Sequence, residues 1–105
     1  MAVVAYLRVS TEKQFLENQR EEIVRFAERN GMSIDKWYTE TVSGSVSSKE
    51  RKLSGVLDKM RPGDSLIVTE ISRLSRTLLE IMTILNSCIK KGVILYSTKE
   101  GYVFQ

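Results

Sequence analysis

Residues 2–9, Ala-Val-Val-Ala-Tyr-Leu-Arg-Val, are apolar at every position except Arg8. A strand with one solvated face alternates apolar and polar side chains. A near-continuous apolar run instead needs cover on both faces, as inside a parallel sheet. This segment therefore points to an α/β fold with helices on both sides of a sheet. Its end carries a second constraint. By the two-residue period of a strand, Tyr6, Arg8 and Ser10 share one face. A guanidinium set into a buried strand is costly unless an anion meets it, and a protein carboxylate or a bound phosphate would each serve. Ser10 stands where the strand gives way to a turn, at the sheet end where open α/β folds place their chemistry.

The rest of the chain repeats the alternation of strand and helix. Residues 14–30 have helical period, with Leu16, Ile23, Phe26 and Ala27 on one stripe and Gly31 as a stop. Gln19 lies on that same stripe, an odd residue for a core-facing position. A weaker strand is expected over Ser33–Tyr38, and the small, polar run Thr39–Ser48 reads as a loop. Residues 49–60 form a second expected helix with Leu53, Val56, Leu57 and Met60 inward, and Arg61-Pro62-Gly63-Asp64 is a turn. A strand over Ser65–Ile71, a connection over Ser72–Ser75, a helix from Arg76 to Lys91 stopped by Gly92, and a strand over Val93–Ser97 follow. The order predicts one domain over residues 1–105, a mostly parallel sheet flanked by helices.

The third helix carries Leu78, Leu79, Ile81, Met82, Ile84, Leu85, Cys88 and Ile89, more than one face can hold. The surplus implies a partner subunit or a downstream segment, unless the monomer itself sandwiches the helix. The apolar ending Gly101-Tyr102-Val103-Phe104-Gln105 is strand-like and suggests a domain trimmed from a longer protein.

Composition narrows the chemistry. The formal charge of +3 is mildly basic, which suits a nucleic-acid partner and equally an ordinary basic surface. There is no histidine, which removes the usual zinc sets and the usual general base. The single cysteine, Cys88, excludes a disulfide framework within the chain and fits a reducing compartment. No segment approaches the ~18 apolar residues of a membrane span, and the N-terminus lacks a signal peptide's pattern. The expected location is the cytoplasm, with no membrane partner and no metal or other cofactor.

If the strands beginning at Ala2 and Ser65 are parallel neighbours, Arg73 and Arg76 of Ile-Ser-Arg-Leu-Ser-Arg emerge at the same sheet edge as Arg8 and Ser10. Three residues apart, the two arginines would share a face of a helix's first turn, where free N–H groups already favour anions. Glu80 could pair with Arg76 at i, i+4; Arg73 has no such local partner. Arginines gathered near a serine, without histidine or metal ligands, suit phosphoryl transfer, in which the protein positions and neutralises a charged transition state. At a phosphodiester, Ser10 would attack, and a phosphoserine link would conserve the bond energy for rejoining.

These residues resemble the catalytic domain of the small serine recombinases, the resolvases and DNA invertases. The likeness spans the whole chain: Tyr6-x-Arg8-Val9-Ser10-Thr11 followed by Gln14 and Gln19, the Ser43-Gly44 loop, the Gly63-Asp64 turn, and Arg73-Leu74-x-Arg76 after a strand. Within the family, Thr-Glu-Ile-Ser-Arg-Leu-Ser-Arg-Thr and Tyr-Ser-Thr-Lys-Glu-Gly-Tyr-Val-Phe look most like the DNA invertase branch, master DNA invertases included. The resemblance implies site-specific recombination of double-stranded DNA through a covalent 5′-phosphoserine at Ser10, in a bacterial cytoplasm. It implies Arg8, Arg51, Arg73 and Arg76 as phosphate and transition-state ligands, and Tyr6, Gln14 and Gln19 as active-site support. Gln19 bonded to nearby backbone is the plainer alternative. The resemblance further implies homodimers and tetramers, a long downstream dimerisation helix and a helix-turn-helix DNA-binding domain, neither of which lies within residues 1–105.

The chain departs from the family in two places. Ser72 stands where most members have an aspartate, leaving Glu70 and Glu40 as candidate carboxylates. Arg51 precedes Leu53 by two residues, where the family spacing is three and Glu50 holds that register. The rival functions are a non-catalytic phosphate- or nucleotide-binding module, weakened by the absence of a Gly-rich phosphate loop, and an oligomerisation module.

Overall fold

The computed structural model describes residues 1–9, 13–41, 52–75 and 77–105. A five-stranded sheet runs in the order β2-β1-β3-β4-β5, with β1 Val3–Val9, β2 Lys36–Thr41, β3 Ser65–Val68, β4 Ile94–Ser97 and β5 Tyr102–Phe104. β1 pairs in parallel with both β2 and β3, β3 pairs in parallel with β4, and β5 closes the edge antiparallel to β4. Three helices, α1 Lys13–Arg29, α2 Lys52–Lys59 and α3 Leu78–Lys91, cover the faces.

The pleat of β1 sorts its side chains between two cores. Ala5 and Leu7 pack with Ile23 of α1 and Ile67. Val4 and Tyr6 pack on the other side with Leu53 and Val56 of α2, Ile81, Ile84, Leu85 and Cys88 of α3, and Leu66, Val68 and Leu95. The predicted burial of β1 on both faces is therefore real, and the reason is its central place, with helices above and below. Burial pushes the Cys88 thiol up to about 11.

Strand order reverses at β1: the chain leaves it toward β2 and returns to its other side as β3. The carboxyl ends of β1 and β3 thus flank a topological switch point, where adjoining connections part and leave a crevice.

Several boundaries differ from expectation, each for a local reason. β2 spans Lys36–Thr41 rather than Ser33–Tyr38, because its pairing with β1 extends to Arg8↔Glu40 and Val9↔Thr41. Residues 39–41, expected in the loop, are drawn into the ladder; residues 42–48 lie outside the described residues. β3 ends at Val68 rather than Ile71 because Ile71–Arg73 winds into a 3₁₀ turn. α3 begins at Leu78, since the Thr77 Oγ1 accepts the Glu80 amide at 3.2 Å and caps the helix there. Gly31 and Gly92 do stop their helices, at φ +65° and +77°, values an L side chain rarely adopts.

The apolar surplus of α3 is exposed: Leu78, Leu79, Met82 and Ile89 face outward while Ile81, Ile84, Leu85 and Cys88 are buried. The monomer does not sandwich this helix within the described residues. Among those residues no helix is long and apolar enough to cross a membrane.

Candidate active site

The expected parallel contact between the two arginine-bearing strands is present, with Val3, Val4 and Ala5 of β1 opposite Ser65, Leu66 and Ile67 of β3. Beyond the last paired residues, the end of β1 and the 71–73 turn clasp each other. The Arg8 guanidinium donates through Nη2 to the Ser72 carbonyl at 2.7 Å, and Arg73 Nη1 returns a bond to the Arg8 carbonyl at 3.4 Å. Gln19, buried on α1, donates Nε2 to that same carbonyl at 3.4 Å. One backbone oxygen therefore gathers side chains from α1 and the 71–73 turn, and three of the predicted residues, Arg8, Gln19 and Arg73, meet there.

Tyr6 is completely buried, and its hydroxyl donates to Glu40 Oε1 at 2.7 Å. Glu40 stands in register with Arg8 on the neighbouring strand, so a buried carboxylate lies beside the strand-borne arginine. Arg8 itself is only half-buried, and its guanidinium bond to the Ser72 carbonyl is exposed, so the strand end does not seal the charge away from water.

Arg73 sits otherwise than expected. It ends the 3₁₀ turn, with Leu74, Ser75 and the Thr77 cap between it and α3, so it is not on the first turn of that helix. It also has a local carboxylate after all: Arg73 Nη2 lies 3.8 Å from Glu70, three residues before it. The 3₁₀ winding of 71–73 brings i and i+3 together, which a straight strand to Ile71 would have prevented. Glu70 also lies 3.4 Å from Lys99 Nζ.

Among the described residues, four buried polar atoms have no hydrogen-bond partner, Gln19 Oε1, Thr69 Oγ1, Arg73 Nε and Thr98 Oγ1. An orphaned buried donor or acceptor costs about 1–3 kcal/mol, and such atoms concentrate where a ligand or substrate completes the set. The Gln19 nitrogen bonds nearby backbone, as the plainer alternative had it, and its oxygen has no partner among the described residues.

Ser10, Arg51 and Arg76 lie outside the described residues, as does the side chain of Gln14. By sequence, Ser10 directly follows Val9, the last residue of β1. Glu100 is the residue that reading the sequence missed. Its Oε1 accepts the Ile71 amide at 2.9 Å and the Ser97 hydroxyl at 2.5 Å. Nothing in the sequence ties it to the 71–73 turn, since that contact exists only when β5 folds back. Among the described residues no group of three or more potential metal-ligating side chains is clustered.

Known proteins resemble this chain in sequence and fold. The family model Resolvase, N terminal domain, matches residues 3–105. The transposon Tn2501 resolvase of Escherichia coli is 45% identical over 82 residues, covering 75% of this chain and 40% of that protein. A resolvase of Clostridium perfringens is 31% identical over 101 residues, covering 96% of this chain and 51% of that one. The serine recombinase PinR of Escherichia coli K12 is 34% identical over 94 residues, covering 87% and 46% respectively. The chain thus spans about half the length, or less, of these curated relatives. Among solved structures, the N-terminal catalytic domain of TP901-1 integrase has a TM-score of 0.77 at 21% identity, covering 98% of this chain and 81% of that one. A resolvase family site-specific recombinase from Streptococcus pneumoniae has a TM-score of 0.75 at 22% identity, covering 98% and 76%. With the fold likeness and a family match over nearly every residue in agreement, the chain belongs to the resolvase N-terminal domain family, the catalytic domains of serine recombinases.

Proposed function

We propose that this domain cuts and rejoins double-stranded DNA as the catalytic part of a site-specific recombinase. The observation that carries the reading is the convergence of Arg8, Gln19 and Arg73 at the switch point between β1 and β3, two residues before Ser10 in the chain. In this reading Ser10 Oγ attacks a backbone phosphorus. The hydroxyl proton leaves, the bond from phosphorus to the 3′ oxygen breaks, and the departing 3′ oxygen takes up a proton. The product is a 5′-phosphoserine ester and a free 3′ hydroxyl. Attack by the 3′ hydroxyl of an exchanged strand reverses each step, so no external energy source is needed.

The arginines, Arg51 and Arg76 included, neutralise the charge that builds on the pentacoordinate phosphorus. Arg73 Nε supports the assignment, since it has no acceptor among the described residues and could turn to a phosphate oxygen. Tyr6, Gln14 and Gln19 hold the arginines in place. The whole protein acts as a dimer that pairs into a tetramer, on DNA, in the bacterial cytoplasm. The exposed apolar residues of α3 support self-association, and family membership weighs against the non-catalytic alternatives.

Incubating the full-length protein with supercoiled DNA carrying its crossover site tests the reading. A covalent protein–DNA adduct is expected, and it should persist in excess EDTA, because no step invokes a metal. Ser10→Ala should abolish the adduct while DNA binding stays near normal. An adduct that survives in Ser10→Ala would overturn the assignment and turn attention to Ser72 and Ser75.

A further inference from the structure

The 71–73 turn has no regular helix or strand to hold it, yet it must fix Arg73 to within a fraction of an ångström. What holds it comes from the turn between β4 and β5. The Thr98 amide donates to the Val68 carbonyl at 3.0 Å, and the Lys99 amide donates to the Thr69 carbonyl at 2.9 Å. These bonds carry the β3–β4 pairing past the last ladder pair, Val68↔Ser97. Glu100 completes the grip, with one carboxylate oxygen accepting both the Ile71 amide and the Ser97 hydroxyl. The Ile71 amide belongs to the first residue of the 3₁₀ turn, one of the donors that such a turn leaves unused. Glu70, at the position before it, has no side-chain capping bond to offer. Glu100 therefore caps the Arg73 turn from 29 residues away in sequence.

We infer that Glu100 is a positioning residue for Arg73, acting through the Ile71 amide, and that the 98–101 turn is the brace against which the arginine is set. The inference rests on the recombinase reading above. The chain of contacts is continuous: Ser97 hydroxyl and Ile71 amide to Glu100, Ile71 carbonyl to the Leu74 amide at 2.9 Å around Arg73, and Arg73 to the Arg8 carbonyl. A carboxylate is suited to the task because it takes two donors on one oxygen, which a hydroxyl at the end of a shorter side chain could not reach. The brace also gives this chain a support for Arg73 that does not use a carboxylate at Ser72.

The test uses the full-length protein and measures the rate of covalent adduct formation on a supercoiled plasmid carrying the crossover site. Glu100→Ala should slow the adduct at least about tenfold, since misplacing a catalytic group by an ångström can cost about a hundredfold. Thermal unfolding and DNA affinity should stay close to those of the parent. Glu100→Gln keeps an acceptor oxygen and should recover most of the rate. The decisive readout is the pair with Arg73→Lys: if Glu100 acts through Arg73, adding Glu100→Ala to Arg73→Lys should slow the reaction no further. Rates that multiply in the double variant, or a Glu100→Ala rate equal to that of the parent, would overturn the inference. A parent protein that forms no adduct would instead fail the recombinase reading itself, so the two failures are told apart.

Discussion

Arg73 and Arg8 use their guanidinium groups partly on each other's backbone, and that constrains what can replace them. Each spans to a carbonyl of the other's segment, Arg8 to Ser72 and Arg73 to Arg8. A lysine keeps the charge but loses the planar fork that allows one group to face both protein and phosphate. Arg8→Lys and Arg73→Lys should each slow adduct formation by about 10² to 10³, with the fold intact by circular dichroism. Arg61, in the turn before β3, should accept lysine without loss of rate; an essential Arg61 beside a dispensable Arg73 would place the chemistry elsewhere. These two arginines were legible in the sequence because a charged group at a buried strand end is conspicuous. Glu70 was legible only as a candidate carboxylate, and its place beside Arg73 was not, since the contact exists only once Ile71–Arg73 winds up rather than extending β3.

Among the elements, the strands were read best where burial left no choice. β1 and the cores on its two faces follow from apolar pattern alone, whereas β2, half-exposed and polar, takes its limits from the partner it pairs with. β5 was legible as a strand-like ending but its antiparallel place beside β4 was not, and the 3₁₀ turn was hidden, because both depend on contacts distant in sequence. The turn before β3 offers a measurement at this scale. Asp64 accepts the Arg61 and Ala2 amides, both at 2.9 Å, and those bonds lower its pKa below the ordinary 3.8. A lowered carboxylate pKa means the ionised form favours the folded state. Its stabilising contribution is complete above the unfolded value near 3.8 and fades as pH falls through the lower folded value. Asp64→Asn should therefore be less stable than the parent near neutral pH, by about 1 kcal/mol for hydrogen bonds of this kind. The difference should shrink in acid-range urea titrations, and a difference that widened with acid would contradict this account.

For the molecule as a whole, the described helices offer little to read DNA with. The exposed face of α1 mixes Arg20, Arg25 and Arg29 with Glu17, Glu21 and Glu28, and Arg25 is already within 3.7 Å of Glu21. Arg20 lies over the Trp37 ring at 4.4 Å. Residues 1–105 alone should bind DNA weakly, without sequence preference, and lose that binding steeply between low and physiological salt. Fluorescence anisotropy on unrelated duplexes checks this, and a salt-tolerant, sequence-selective complex would contradict it.

The central position of β1 has a consequence for how the chain acquires its reactivity. β1 needs partners from both sides, and its second partner, β3, begins more than sixty residues later. The bonds that join Arg8 to the 71–73 turn close loops of 64 and 65 residues. Contacts of such separation form late, after local helices and the nearer β1–β2 pairing. A nascent or partly unfolded chain, with β1 and β3 apart, holds its arginines on separate pieces. On the recombinase reading proposed above, competence to break DNA would be coupled to completion of the sheet, and misfolded copies would carry Ser10 without the arginines it needs.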